Sequence, residues 1–369
     1  MALLKKFKIL QVFRGFAALL VVVFHATVIS RDILGYEYLH GLCGFGYAGV
    51  DFFFVLSGFI IMYVHSSDIG QKNRLGRFLL KRFTRLYPIY WVVCLAIIPV
   101  YFLNHSYGLG YEREPAVIIK SLLLIPQIRY PILNVAWSLS FEVWFYALFG
   151  LAILWGRRIS VASYGCWIAC VLILFVGGFF NRAFVAPFPL AFILSRFNLE
   201  FSLGCLAAYI VMIGPLKHPS WWLWGGAVFF VTAGLFDKPL RQLLGMHHEV
   251  LSYGLASVML VLGAASGELS SMKMVPSWLV YLGDASYSIY LTHYLSLSVL
   301  MKLLAVLHIG SAVTLPFLVT LMAIIAIGLG CLCYSLLERP LLNSLKTRLL
   351  PKRVDLSSSE QLASRPRSD

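Results

Sequence analysis

The chain alternates long apolar runs with short polar segments. A helix needs about 20 mostly apolar residues to cross the hydrocarbon core of a bilayer. Ten runs come close to or exceed that length: residues 9–29, 46–64, 84–103, 137–155, 160–180, 186–212, 219–236, 250–266, 279–305 and 313–337. The run 116–126 is apolar but too short, and we interpret it as an interfacial or re-entrant segment. The pattern predicts an all-α polytopic membrane protein with about ten transmembrane helices.

The composition agrees with this pattern and excludes an ordinary soluble domain. Hydrophobic residues make up 60% of the chain and charged residues 12%. Soluble domains contain about 45–50% apolar and about 25% charged residues. This chain lacks the charged residues needed for a water-facing surface, whereas a membrane protein covers its apolar exterior with lipid.

The net charge of +14 is distributed unevenly among the predicted loops. If the N-terminus is cytoplasmic, the basic segments 65–83, 156–159 and 338–369 are cytoplasmic too, while the external loops 30–45 and 104–136 mix acids and bases. Membrane proteins concentrate Lys and Arg in cytoplasmic loops. We therefore predict that both termini are cytoplasmic, and we attribute the charge to membrane anchoring rather than to nucleic-acid binding.

The predicted spans leave no room for a separate soluble domain. Residues 1–350 are expected to form one integral-membrane domain, and the polar, Ser-rich, basic segment 351–369 a disordered tail. The seven cysteines show no metal-site spacing with histidines, so we predict no metal. No repeat of fixed period is found, so an inverted-repeat transporter is not suggested.

Two ionisable residues lie on the first predicted span. Arg14 and His25 are eleven positions apart, which places them within roughly 20° on the same helix face and about 16 Å apart along the axis. Ionisable groups inside a membrane are costly and usually functional. The alternative is an arginine that extends to the headgroups and a structural histidine.

Three further spans carry ionisable groups. Asp51 opens the second span, where it is either a helix N-cap or a functional carboxyl group. Glu142 is expected at a depth similar to that of His25, and we predict that it orients this imidazole or raises its basicity. His293, in the ninth span, is either a packing histidine or a second acid–base group.

Charged residues also mark the cytoplasmic ends of two spans. Arg82 and Arg85 are three positions apart, so they fall on one side of a helix entry. They are either anchors or a fork for phosphate groups, which suits arginine geometry. Glu338-Arg339-Pro340 ends the last span, where we expect a stop signal and a local ion pair.

Several of these stretches together resemble the membrane-bound acyltransferase-3 family. The similar segments are Leu10 to His25, Gly49 to Gly58, the pair Arg82 and Arg85, Trp137 to Tyr146, Ser286 to His293, and Glu338 to Pro340. The chain departs from the commonest pattern after Glu142, where Val143 and Trp144 replace an acid and a Gln. This form is more similar to exopolysaccharide acetyltransferases related to succinoglycan production.

The resemblance implies a multi-pass acyltransferase (EC 2.3.1.-) of the bacterial inner membrane. The implied donor is acetyl-CoA, with succinyl or another acyl group left open, and the implied acceptor is a hydroxyl of a polysaccharide or of its lipid-linked precursor. Three groups of residues are expected to serve the reaction: His25, Glu142 and His293 in catalysis; Arg14, Arg82 and Arg85 in donor binding; Asp51 and Ser138 in acceptor binding. His25 is either a general base or an acyl-carrying nucleophile.

Two other functions fit a membrane protein with buried charges. A transporter or flippase for lipid-linked sugars would also need them along its pathway, but it would favour repeat symmetry. A non-catalytic subunit of a polysaccharide synthase would keep its function after loss of His25.

Overall fold

The computed structural model describes residues 7–104, 107–180, 187–270, 275–311 and 313–349. The predicted tail, 351–369, lies outside the described residues. Within this part the chain is helical without strands, which confirms the all-α class. The helices are α1 (Lys8–Leu34), α2 (Gly49–His65), α3 (Leu75–Leu103), α4 (Pro115–Leu122), α5 (Trp137–Trp155), α6 (Arg157–Phe180), α7 (Leu190–Ile193), α8 (Phe197–Ile213), α9 (Pro219–Leu235), α10 (Asp237–Leu244), α11 (Leu255–Ser270), α12 (Ser277–Val306), α13 (Leu315–Cys333) and α14 (Arg339–Leu349).

In the described ranges, nine helical segments are long and apolar enough to cross a membrane. The tenth predicted span is present as α9, which has 17 residues and is shorter than the others. The protein is therefore a polytopic membrane protein.

The relative direction of α1 and α12 supports ten crossings. Gly15 of α1 lies against Gly283 of α12, and ten residues later His25 lies against His293. Equal steps along both helices mean that they run parallel. An odd number of crossings must then lie between them. Seven helices provide it when the short α9 is counted: α2, α3, α5, α6, α8, α9 and α11.

Several boundaries differ from the predicted ones. Helix α3 begins at Leu75 instead of residue 84 because its basic first turns, although too polar for a span, contain good helix formers. The run 186–212 is broken into α7 and α8. The last span continues beyond 337 through a π-helical turn, Tyr334–Glu338, into α14.

The short helix α4 folds back into the bundle alongside α3. Side chains in the middle of α3 donate hydrogen bonds to backbone carbonyls at the end of α4 and just after it. These bonds join Tyr90 to Ser121 (2.7 Å), Trp91 to Leu122 (2.8 Å) and Tyr87 to Leu123 (3.0 Å). Further along α3, Tyr101 donates to the carbonyl of Ile132 at 2.8 Å. The segment therefore re-enters the bundle, which is one of the two alternatives, interfacial or re-entrant, that its short apolar run predicts.

Glycines allow α1 and α12 to approach closely. A Cβ atom added to Gly283 would overlap the backbone carbonyl of Gln11, and one added to Gly15 would lie 3.1 Å from the backbone nitrogen of Gly283. Small residues permit this kind of backbone contact between membrane helices. The contact fixes the register that brings the two histidines together.

A polar cluster joins the start of α10 to the turns that precede α2 and α11. The carboxylate of Asp237 accepts hydrogen bonds from Tyr47 (2.5 Å) and Tyr253 (2.8 Å) and lies 3.4 Å from Nε2 of His248. Burial raises the pKa of Asp237, but the hydrogen bonds outweigh it and lower that pKa to about 2. Burial lowers the pKa of His248, but the bonds to Asp237 and to the carbonyl of Gly245, together with the charges of Glu249 and Asp237, outweigh it, and the pKa lies above the ordinary 6.5.

Candidate active site

The centre of the candidate site is a pair of histidines on the parallel helices α1 and α12. Nδ1 of His25 lies 3.1 Å from Nε2 of His293, and the rings are tilted by 56° with centroids 4.9 Å apart. His293 is fully buried. The ring of Tyr294 packs edge-on against His25, at 5.3 Å between centroids.

The hydrogen bonds around the pair define which nitrogen of His25 is available. Nδ1 of His293 lies 3.1 Å from the carbonyl of Ile289, and a carbonyl can only accept, so this nitrogen carries the proton. Nε2 of His293 is then an acceptor in the neutral ring. Nδ1 of His25 donates to it and to the carbonyl of Val21 at 3.0 Å. The lone pair of His25 is therefore on Nε2.

Glu142 is not the partner of His25, contrary to our prediction. Its Oε1 accepts hydrogen bonds from Ser57 at 2.7 Å and from Tyr146 at 2.5 Å. Tyr146 also lies beneath the guanidinium group of Arg82. Glu142 thus faces the arginines, and His293 takes the place that we had assigned to it.

The guanidinium group of Arg82 forms no ion pair with a carboxylate of the described residues. It lies over the rings of Phe78 and Tyr146, at 5.4 and 5.5 Å from their centroids. Its Nε is buried and has no hydrogen-bond partner in the part of the chain that the structure describes. Such a group has unused capacity for an anionic ligand.

Arg85 is held by a buried ion pair. Its Nη1 lies 3.2 Å from Oε1 of Glu338, and Ser288 of α12 donates to Oε2 at 2.7 Å. Glu338 is fully buried and lies in the π-helical turn after α13. The local pair with Arg339 that the sequence suggested is thus replaced by a pair with α3.

Arg14 faces the same polar interior from α1. Its Nη1 donates to Oε1 of Gln11 at 3.1 Å. The charges that act on its guanidinium group include those of Arg85, Glu338 and Glu142. The structure therefore brings Arg14 and Arg85 into one electrostatic environment, at the end where α1 and α12 begin.

Asp51 does not cap α2, because that helix has no side-chain cap bond. Its carboxyl group is 2% exposed, and the fully buried carboxyl group of Glu200 on α8 lies near it. Neither carboxyl oxygen of Glu200 has a hydrogen-bond partner among the described residues. Sequence reasoning missed Glu200, although the rule used for His25 applies to any acid inside a span. Acceptor binding by Asp51 stays a prediction.

Ser138 links α5 to the histidine helix. Its hydroxyl lies 2.7 Å from the hydroxyl of Tyr290 and donates to the carbonyl of Val135 at 3.2 Å. The ring of Tyr290 is 5.7 Å from that of His293. Ser138 is therefore one side chain away from the pair, and acceptor binding by Ser138 stays a prediction. Tyr290 was missed because a tyrosine carries no charge to mark it.

Comparison with known proteins identifies similar chains. A family model described as an acyltransferase domain matches residues 7–335. The exopolysaccharide production protein ExoZ of Rhizobium meliloti (strain 1021) is 30% identical over 320 residues, covering 82% of this chain and 92% of the relative. Protein 2 in the picA locus of Rhizobium radiobacter is 36% identical over 101 residues, covering 27% of this chain and 47% of the relative. No solved structure matches.

Proposed function

The chain belongs to the acyltransferase family whose model matches residues 7–335, and we propose that it transfers an acetyl group from cytosolic acetyl-CoA to a hydroxyl of an exported polysaccharide or its lipid-linked precursor. The observation that carries this proposal is the His25–His293 pair, with a free lone pair on Nε2 of His25. That nitrogen can accept a proton or an acyl group.

The arginines at the other end of the bundle supply a donor site. Arg82 has a buried nitrogen without a described partner, and arginine suits phosphate groups. Arg14 and Arg85 add positive charge nearby. From Arg14 to His25 the rise along α1 is about 16 Å. We propose that the pantetheine arm of CoA extends over this distance and brings its thioester to His25.

The chemistry follows from the tautomer of His25. As a base, Nε2 takes the proton of the sugar hydroxyl, the oxygen attacks the thioester carbonyl, and the carbon–sulfur bond breaks. The proton then passes to the CoA sulfur, giving an acetyl ester and free CoA. As a nucleophile, the same Nε2 attacks the thioester carbonyl and releases CoA as a thiolate. The sugar hydroxyl then attacks the acetylated imidazole, its proton passes to the thiolate, and Nε2 regains its lone pair. In both routes the bond from Nδ1 to His293 stabilises the positive imidazole ring.

The acceptor class rests on the relative from Rhizobium meliloti. That protein is named for exopolysaccharide production, and the match covers 92% of its length. A saccharide hydroxyl is also a weak acid that needs a base. The same proposal places the enzyme in the inner membrane of a bacterium, with the arginine end facing the cytosol.

The first experiment compares cells that lack the gene with cells that express wild type, His25→Ala or His308→Ala. His308 lies in an exposed turn and serves as the matched control. We expect acetylated polysaccharide with wild type and His308→Ala, and none with His25→Ala at equal membrane levels. Acetyl content is measured by mass spectrometry of the polysaccharide. Normal acetylation by His25→Ala would contradict the proposal and favour a non-catalytic subunit.

A second experiment tests the donor site. Arg82→Ala is expected to raise the KM for acetyl-CoA, whereas Arg77→Ala, exposed on the same helix, leaves it unchanged. Arg85→Ala should mainly lower stability, because it leaves the buried Glu338 without its ion-pair partner. The measurements are acetyl-CoA consumption by the purified proteins and thermal unfolding. An unchanged KM in Arg82→Ala would refute the phosphate contact.

A third measurement separates the two roles of His25. Wild type is incubated with acetyl-CoA without acceptor, and the peptide that contains His25 is analysed by mass. An acetylated His25 identifies the nucleophile route; an unmodified peptide from an enzyme that transfers acetyl groups identifies the base route.

A further inference from the structure

A pocket opens beside the N-terminal end of α5, away from the arginines. Its volume is about 390 Å³, and its walls are the segment 126–131, the first turns of α5, and residues Phe192 and Phe197. Nine residues further along α5, Tyr146 contacts Arg82. The pocket is thus displaced along α5 from the donor arginines, toward the half of the bundle that contains the histidines.

The lining combines flat aromatic rings with a few polar groups. Trp137 and Phe141 come from α5, and Phe192 stacks on Phe141 at 4.1 Å between ring centroids. Gln127, Arg129 and Ser140 supply the polar groups. Small-molecule sites are mostly apolar with a small number of placed polar groups, and they occupy about 300–1,000 Å³. This pocket lies at the lower end of that range.

The charge of the lining favours a neutral ligand. Arg129 is the one charged residue of this lining, and it is paired with Glu114 at 2.5 Å. An anionic headgroup would have to compete with that carboxylate. Gln127 donates its amide to Ser121 at 3.2 Å, which leaves its carbonyl oxygen as an acceptor for a hydroxyl. An isoprenoid chain would leave these polar groups without partners.

Two side chains, Ser138 and Tyr290, lie between the pocket lining and His293. Trp137 lines the pocket, and the next residue, Ser138, contacts Tyr290, whose ring is 5.7 Å from His293. On α2, Phe54 packs on Trp137 while its neighbour Phe53 packs on Tyr290. A ligand in the pocket therefore lies close to the pair without occupying the reacting position.

We propose that this pocket binds a neutral sugar unit of the acceptor next to the unit that is acetylated. The proposal rests on the proposed function. Aromatic faces would stack on the sugar ring, and Gln127 and Ser140 would bond to its hydroxyls. The pocket would thus select a saccharide chain over a single sugar and hold it while the neighbouring unit meets His25.

The binding test uses alkylation of Ile128→Cys in the full-length protein, because Ile128 lines the pocket and is 83% exposed. The probes are fragments of the host's own polysaccharide, stripped of esters by alkali, and undecaprenyl phosphate. We expect the fragments to slow alkylation several-fold and the lipid to leave it unchanged. Protection by the lipid alone would assign the pocket to an isoprenoid chain. Protection by neither probe would show that it is not a substrate site. Either result overturns the proposal.

The activity test compares Gln127→Ala with Ile119→Ala, a residue of α4 that is 57% exposed and lies outside this lining. Loss of one hydrogen bond should raise the KM for the fragments up to roughly tenfold in Gln127→Ala, with the KM for acetyl-CoA unchanged. The Ile119 variant should match wild type. Equal KM values for the fragments would overturn the pocket assignment. Absence of acetylation by wild type would instead overturn the proposed function, and the alkylation result would stand independently.

Discussion

At the scale of single residues, His293 acts on His25 through one nitrogen. Its Nε2 accepts the proton of Nδ1 of His25, while its own Nδ1 is anchored to Ile289. We therefore propose that His293 is a positioning group, which holds the tautomer of His25 and stabilises the positive ring that forms during the reaction. The register of α1 and α12 brings it to this place.

Substitution of His293 should separate this role from packing. The side-chain oxygen of Gln can occupy the position of Nε2 and accept the proton of Nδ1 of His25. The shorter amide of Asn occupies only the position of Nδ1 and does not reach His25. We expect His293→Gln to retain more activity than His293→Asn, with kcat reduced up to about 10²-fold in the latter and the KM for acetyl-CoA unchanged in both. Steady-state kinetics measure this. Equal kcat in both variants and wild type would exclude a positioning role.

The misassignment of Glu142 shows where residue-level prediction stops. The prediction that Glu142 lies at the depth of His25 was wrong. Glu142 accepts a hydrogen bond from Ser57, eight positions after Gly49, and Gly49 already lies against Ala17, eight positions before His25. Counting residues from the predicted end of a span does not reveal how deep in the bundle a helix begins or which way its side chains point. Glu142 faces Ser57 and Tyr146, and only the packing of α5 against α2 defines that direction.

The cluster around Asp237 predicts a pH dependence of stability. The pKa of His248 is raised above 6.5, so its contribution is complete below 6.5 and is lost as pH rises through the folded-state pKa. The pKa of Asp237 is lowered from 3.8 to about 2, so its contribution is complete above 3.8 and is lost as pH falls toward 2. The charge of Glu249 also raises the pKa of His248, and the charge of Arg241 also lowers the pKa of Asp237.

We therefore expect His248→Gln to lose most stability relative to wild type between about pH 4 and 6.5, and less at higher pH. Thermal unfolding in detergent across this range measures the difference. His308→Gln is the control and should follow wild type. A difference that is constant with pH would show that the imidazole charge has no part in the stability of this cluster.

At the scale of elements, the glycine contact between α1 and α12 is the feature on which the site depends. Gly283→Ala should separate the two helices, because the added methyl group would meet the backbone of Gln11. Such overpacking costs about 1–3 kcal/mol and should also reduce acetylation by moving His293. Thermal unfolding and product mass measure the two effects.

Gly328→Ala provides the matched control for this prediction. Gly328 lies on α13 with no atom within 4 Å of an added Cβ, so alanine should be neutral or slightly stabilising. If both variants behaved alike, the close approach would not be what positions the histidines.

Element types were largely predictable from the apolar runs, whereas their ends were not. The start of α3 was missed because its basic first turns are too polar to count as part of an apolar run, although their residues form helix readily. The break between α7 and α8 was missed because a run of apolar residues does not reveal a turn inside it. The re-entrant α4 was one of two predicted alternatives, interfacial or re-entrant, because its run was too short to span.

At the scale of the whole molecule, the topology depends on whether α9 crosses the membrane. The parallel register of α1 and α12 requires it, and the basic loops then all lie on one side. Reporter fusions after Lys217 and after Leu244 test this. We expect a fluorescent protein to be active at the first position and alkaline phosphatase at the second. The same reporter activity at both would show that α9 does not cross.

The equal spacing in the two parallel helices limits how this part of the chain can vary in length. Ten steps separate Gly15 from His25, and ten separate Gly283 from His293. Removal of one residue between them would turn the ring by about 100° and shift it by about 1.5 Å. A deletion in one helix would therefore disconnect the imidazoles unless the other helix lost a residue as well.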